Sequence, residues 1–150
     1  MIYFADIIFN FTKFFLFQLK TIVVTEVTKG IKVSVETFYQ DDYSRPDENK
    51  YVFAYRITLE NTGYQTVQLK RRHWKIMDSI GTLTEVEGEG VIGLQPILKP
   101  GELHQYVSWS QLTSDMGKMH GTYLFMNLVD NELFDVTIPE FKLVAPFKMN

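Results

Sequence analysis

VQLKRRHWKIMDSIGTLTEVEGEGVIGLQPILKPGELHQY, residues Val67 to Tyr106, carries the pattern that decides the fold. From Val67 to Met77 apolar and polar residues alternate, as in a half-buried strand. The alternation slips once. Val67 and Leu69 share one face, but Trp74 and Ile76 belong to the other parity, so a β-bulge is expected within Lys70 to His73. Asp78 to Gly81 reads as a turn, and Thr82 to Glu87 returns as the partner strand. That turn sets Met77 opposite Thr82, Arg72 opposite Glu87 and Lys70 opposite Glu89, with a bulge shifting the match by one. Pro96 and Pro100 then close the stretch and bar any helix from growing through it.

Working outward, the same period recurs. Upstream, Ile31, Val33 and Val35 alternate with Lys32, Ser34 and Glu36. Asp41 to Lys50 is polar, contains Pro46 and reads as a loop. Tyr51 to Asn61 is a strand with Phe53, Tyr55, Ile57 and Leu59 on one face, ended by the turn signal Asn61-Thr62-Gly63. Downstream, Leu103 to Trp109 is a strand entered through Pro100-Gly101, and Gln111 to Lys118 is a polar connection. Thr122 to Val129 is almost continuously apolar, as a strand buried on both faces would be. Leu133 to Ile138 is expected to stop at Pro139, with Phe141 to Val144 adding an edge strand.

No stretch keeps a helical period over three turns. Many short strands separated by turns predict an all-β protein, an antiparallel β-sandwich of about seven or more strands. Cysteine is absent, which excludes disulfides, thiol catalysis and cysteine-ligated zinc. It also removes the disulfide-pinned antibody type and leaves a fibronectin type III-like (immunoglobulin-like) sandwich. The 150 residues suit one domain, placed at residues 23–150, and 45% hydrophobic content supplies its core. A net charge of -3 gives no global attraction to nucleic acid or anionic lipid.

Residues 1–22 form an apolar extension ahead of that domain. Asp6, Asn10 and Lys13 interrupt the apolar run from Met1 to Leu19, which falls short of a spanning helix, so no stable membrane insertion is expected. It reads as an interfacial helix, as an added element packed on the body, or as translated leader from a mis-called start.

GIKVSVETFY (Gly30 to Tyr39), YVFAYRITLEN (Tyr51 to Asn61), VQLKRRHWKIMDSIG (Val67 to Gly81), EVEGEGVIGLQPILKPGE (Glu85 to Glu102), MHGTYLFM (Met119 to Met126) and FDVTIPEF (Phe134 to Phe141) together resemble the ApaG family, also called CorD. The resemblance runs from about Val23 to Val144, in order. It implies a fibronectin type III-like sandwich in a small cytoplasmic bacterial protein. It also implies a link to cobalt resistance and magnesium efflux. Related domains in eukaryotic F-box and polymerase-associated proteins look like interaction modules. A sandwich of this kind offers no spanning helix set or closed barrel, so any efflux role is expected to be regulatory.

Candidate sites lie in the opening stretch. Gly88, Gly90 and Gly93 spell GxGxxG, the dinucleotide fingerprint, yet no helix can follow and Glu89 repels phosphate. A backbone nest for an anion such as pyrophosphate and a glycine-permitted crossover are the other readings. Glu85, Glu87 and Glu89 share one strand face, as a Mg²⁺ site could use or as a ladder of ion pairs requires. His73 offers an imidazole to Co²⁺, or a structural hydrogen bond. Arg71, Arg72 and Trp74 are candidate contacts for a protein partner, and an edge strand could pair two copies into a homodimer. No catalytic signature appears among these residues, so no enzyme activity, cofactor or nucleic-acid partner is assigned.

Overall fold

Period-two patterning produces strands and, between them, only short turns of 3-10 helix. The computed structural model describes residues 22–148, so the readings of the Met1 to Leu19 segment lie outside the described residues. The strands are β1 (Val23–Thr28), β2 (Ile31–Tyr39), β3 (Tyr51–Asn61), β4 (Val67–Asp78), β5 (Leu83–Glu89), β6 (Ile97–Leu98), β7 (Leu103–Leu112), β8 (Met116–Asn127) and β9 (Leu133–Val144). One sheet has the order β1-β2-β3-β7 and the other β5-β4-β8-β9, with β6 also pairing with β4. Every pairing is antiparallel.

The two sheets bury one continuous core between them. Val33 and Val35 of β2, with Phe53, Ile57 and Leu59 of β3, meet Leu69 and Trp74 of β4, Tyr123 and Phe125 of β8 and Ile138 and Phe141 of β9. Trp74 sits at the centre of an aromatic group, 5.5 Å from Tyr55, 6.1 Å from Tyr123 and 5.9 Å from Phe141 between ring centroids. Trp74 was expected to help present a partner surface; at 3% exposure it is core instead. A small second cluster, Phe38 and Ala54 with Tyr43, Val107 and Trp109, covers the outer face of β3.

The bulge expected within Lys70 to His73 falls between Leu69 and Arg71, leaving Lys70 unpaired with β8. It lets Val67 and Leu69 share the buried face with Trp74 and, importantly, turns Arg72 inward while Arg71, His73 and Lys75 face out.

Four expectations change. The β4–β5 register is offset by one, with Met77 opposite Leu83, so Arg72 faces Gly88 rather than Glu87 and Lys70 does not oppose Glu89. Thr82 stays in the turn because the Asp78 carboxylate accepts from the amides of Ile80 and Thr82, at 3.1 and 3.3 Å. Pro139 does not stop its strand: β9 runs on to Val144, with Pro139 and Glu140 together opposite His120 where the register shifts. A proline without an amide donor is tolerated there because β9 is an edge strand and the site is a bulge. The polar connection Gln111 to Lys118 shrinks to a short turn, since β7 reaches Leu112 and β8 starts at Met116. Finally, β8 is central in its sheet but buries Tyr123 and Phe125 far more completely than Thr122, Leu124 or Met126, so it is not buried on both faces.

Candidate functional site

The outer face of β4 and β5 is a charge ladder. Arg71 pairs across the strands with Glu89, His73 with Glu87 and Lys75 with Glu85. The His73 ring nitrogen Nε2 lies 2.7 Å from a Glu85 oxygen, a diagonal neighbour, and 3.5 Å from a Glu87 oxygen. That hydrogen bond holds the Glu85 carboxyl below its ordinary range. The acidic alternation therefore works as cross-strand complementarity. Glu85, Glu87, Glu89 and His73 were expected to offer a Mg²⁺ or Co²⁺ site, and they do not fit one. Among the described residues no group of three or more His, Asp or Glu side chains is arranged to hold a metal ion, because each acid on this solvated face stands opposite a base.

The glycine cluster also differs from a phosphate cradle. Ile92 and Gly93 both have positive φ, 49° and 71°, and Val91 and Leu94 exchange backbone hydrogen bonds of 2.8 and 3.0 Å around them. This is a two-residue hairpin turn of the mirror-image kind that glycine favours. The amides of Gly90, Val91 and Leu94 already donate to backbone carbonyls, so they cannot form an anion nest. The loop turns carbonyls inward instead: the Arg72 Nη1 donates to the carbonyls of Glu89 and Gly90 at 2.9 and 2.8 Å. Gly88 is glycine for the same reason. A Cβ there would lie 3.0 Å from both Nη1 and Nη2 of Arg72.

Arg72 opens onto a cleft of about 250 Å³ between the sheets. One side of the sandwich is closed where β1 and β2 pack on β9. On the other side the edge strands β5 and β7 flank the cleft, with Val86 contributed by one and Tyr106 and Ser108 by the other. Tyr55 stands opposite Ser108 in the β3–β7 register. Behind them Tyr106 and Tyr123 share a buried hydrogen bond that ties the two sheets together. Burial pushes the hydroxyls of Tyr55, Tyr106 and Tyr123 up, and the Arg72 charge only partly opposes it, so all three keep their protons.

The tyrosine pair makes a direct prediction. Tyr106→Phe leaves the Tyr123 hydroxyl buried without its partner and is expected to cost about 1–3 kcal/mol in urea unfolding, whereas Tyr106→Phe with Tyr123→Phe recovers most of that loss. A double variant as unstable as the sum of the singles would refute this account.

Arg72 and Gly88 stand out in the sequence by type, but their contact does not, and no sequence signature marks Tyr106 or Ser108 as their neighbours. The signal was the parity slip at Lys70. Followed through, it places Arg72 on the same side as Trp74.

Residues 41–127 match the family model described as ApaG domain. Protein ApaG of Paramagnetospirillum magneticum is 47% identical over 122 residues, covering 81% of this chain and 93% of the relative. Protein ApaG of Brucella anthropi is 50% identical over 120 residues, covering 80% and 92%. The crystal structure described as an ApaA protein from Bordetella pertussis superposes with a TM-score of 0.75 at 40% identity, covering 77% of this chain and 94% of that one. The names of the two sequence relatives state no enzymatic activity.

Proposed function

The chain belongs to the ApaG family, and from that premise we propose that it is a non-catalytic interaction module, cytoplasmic, acting on cobalt and magnesium homeostasis through a protein partner rather than as a transporter. One observation carries the reading. Edge strand β5 is exposed nearly throughout, and the apolar side chains Ile80, Leu83, Val86, Ile92 and Leu94 lie exposed along and beside it. An unprotected edge with apolar side chains is a template for pairing with another chain. The charge ladder next to it supplies the polar rim that sets orientation. Among the described residues no helix is long and apolar enough to cross a membrane.

The test pairs capture with phenotype. A variant carrying Leu83→Lys and Glu87→Lys is expected to lose the partner that the wild-type protein cross-links in cells. It should also fail to restore cobalt tolerance in a strain lacking the gene. Lys32→Glu, on the opposite sheet, should behave as wild type. An edge variant that keeps both properties would sink the proposal. Sedimentation of the purified protein separates a second copy from a different chain as the partner, since only the former gives a concentration-dependent dimer.

A further inference from the structure

Arg72 is a cation without a carboxylate. Some basic groups in the described residues find acids: Arg56 holds Glu36 with two bonds of 2.6 Å, and Lys118 holds Glu140 at 2.9 Å. Arg72 appears in none of the ion pairs. Its Nη1 is saturated by the two loop carbonyls, while its Nε and Nη2 have no hydrogen-bond partner among the described residues. Neither nitrogen is sealed in the core, so both are accessible from the cleft and free to donate to an anion that enters it.

The surroundings narrow what that something is. The cleft beside Arg72 carries hydroxyls from Tyr55 and Ser108 and apolar surface from Trp74, Ile76, Val86 and Met119. One fixed positive charge matches one negative charge; a phosphate dianion would bury a second charge without compensation. The planar fork of arginine suits a carboxylate. The apolar walls suit a hydrocarbon or aromatic body. At about 250 Å³ the space is below that of drug-sized sites and takes a single ring rather than a nucleotide.

We propose that the cleft between β5 and β7 is a binding site for a small organic monocarboxylate with an apolar body, its carboxylate on Arg72 and its body against Trp74, Val86 and Met119. The site shares Val86 and Ile92 with the exposed edge of the partner-binding reading but not Leu83 or the ladder, so the variant carrying Leu83→Lys and Glu87→Lys leaves the cleft lining unchanged and separates the two. Gly88 is part of it: a Cβ there would lie 3.0 Å from both Nη1 and Nη2 of Arg72, so glycine leaves the guanidinium in place without a shift.

The experiment is an amide NMR titration of the full chain with benzoate, phenylacetate and 3-phenylpropionate, alongside benzyl alcohol and inorganic phosphate. At least one carboxylate should give saturable shifts at Arg72, Gly88, Val91 and Ser108, with benzyl alcohol and phosphate at least about tenfold weaker. Arg72→Met should weaken binding by about tenfold or more. Should that variant unfold, Val86→Trp, at a part-exposed edge position, fills the cleft and should abolish the shifts with the fold intact. Silence from all three carboxylates, equal binding of benzyl alcohol, or preferential binding of phosphate would each overturn the proposal, as would unchanged carboxylate binding in Val86→Trp.

Discussion

Alanine at Gly121 is expected to destabilise the protein by about 3 kcal/mol or more, the upper end of what overpacking costs. Gly121 lies in β8 opposite Trp74 of β4, next to the register shift that admits Pro139 into β9. A Cβ at this position would come 2.0 Å from the His73 carbonyl oxygen, 3.0 Å from its carbonyl carbon and 3.2 Å from the Trp74 Cα. These are backbone atoms of a central pairing and cannot swing aside as a side-chain tip does. Relief requires β4 and β8 to part, and that would move Trp74 and Arg72 together. In a domain of this size the loss corresponds to a fall in Tm of roughly 6–12 °C. A Gly121→Ala protein melting within about 2 °C of wild type would show that the strands accommodate the methyl group and that the close approach is not required.

Trp74→Ala is expected to be comparably severe, about 3–5 kcal/mol, because it removes a buried indole and leaves a cavity between the sheets. Tyr55, Tyr123 and Phe141 all lose their edge or tilted contact with the indole ring at once. Trp74→Phe keeps most of the volume and should cost clearly less. Urea unfolding of the two variants gives the comparison. Near-equal stability of Trp74→Ala and wild type would contradict the core assignment. The effect also decides how partner experiments are read. Loss of binding in Trp74→Ala would report loss of the sandwich, whereas loss in Leu83→Lys with Glu87→Lys would report the exposed edge itself.

The parts of this fold that were legible share a cause. β3 alternates cleanly from Tyr55 to Glu60, and the structure keeps the expected ends Tyr51 and Asn61. The Lys70 bulge was legible because a parity slip between Leu69 and Trp74 has no other remedy in a buried strand. The β4–β5 register was not, because it depends on the Asp78 side chain capturing the amides of Ile80 and Thr82 and so lengthening the turn by one residue. Pro139 misled for a similar reason. Whether a proline ends a strand depends on its place in the sheet, which only the order β5-β4-β8-β9 reveals. The site followed the same division. The glycines and Arg72 stood out by type, yet their meaning lay in a contact between two strands. Once the register placed Arg72 against Gly88, a pattern that mimics a phosphate loop became a seat for a guanidinium.

The pairing of β3 with β7 has a consequence for the birth of the molecule. Three strands of the opposite sheet lie between them in the chain. When β3 has been synthesised and has paired with β2, its other edge must wait for about fifty more residues, which is roughly 3–10 s at ribosomal speeds of about 5–20 residues per second. Throughout that interval a long hydrophobic strand is open to the wrong neighbour, including the same strand on a nascent chain from an adjacent ribosome. Chaperone dependence and yield during expression should therefore respond more to the pace of translation across β4 to β6 than to the stability of the finished protein.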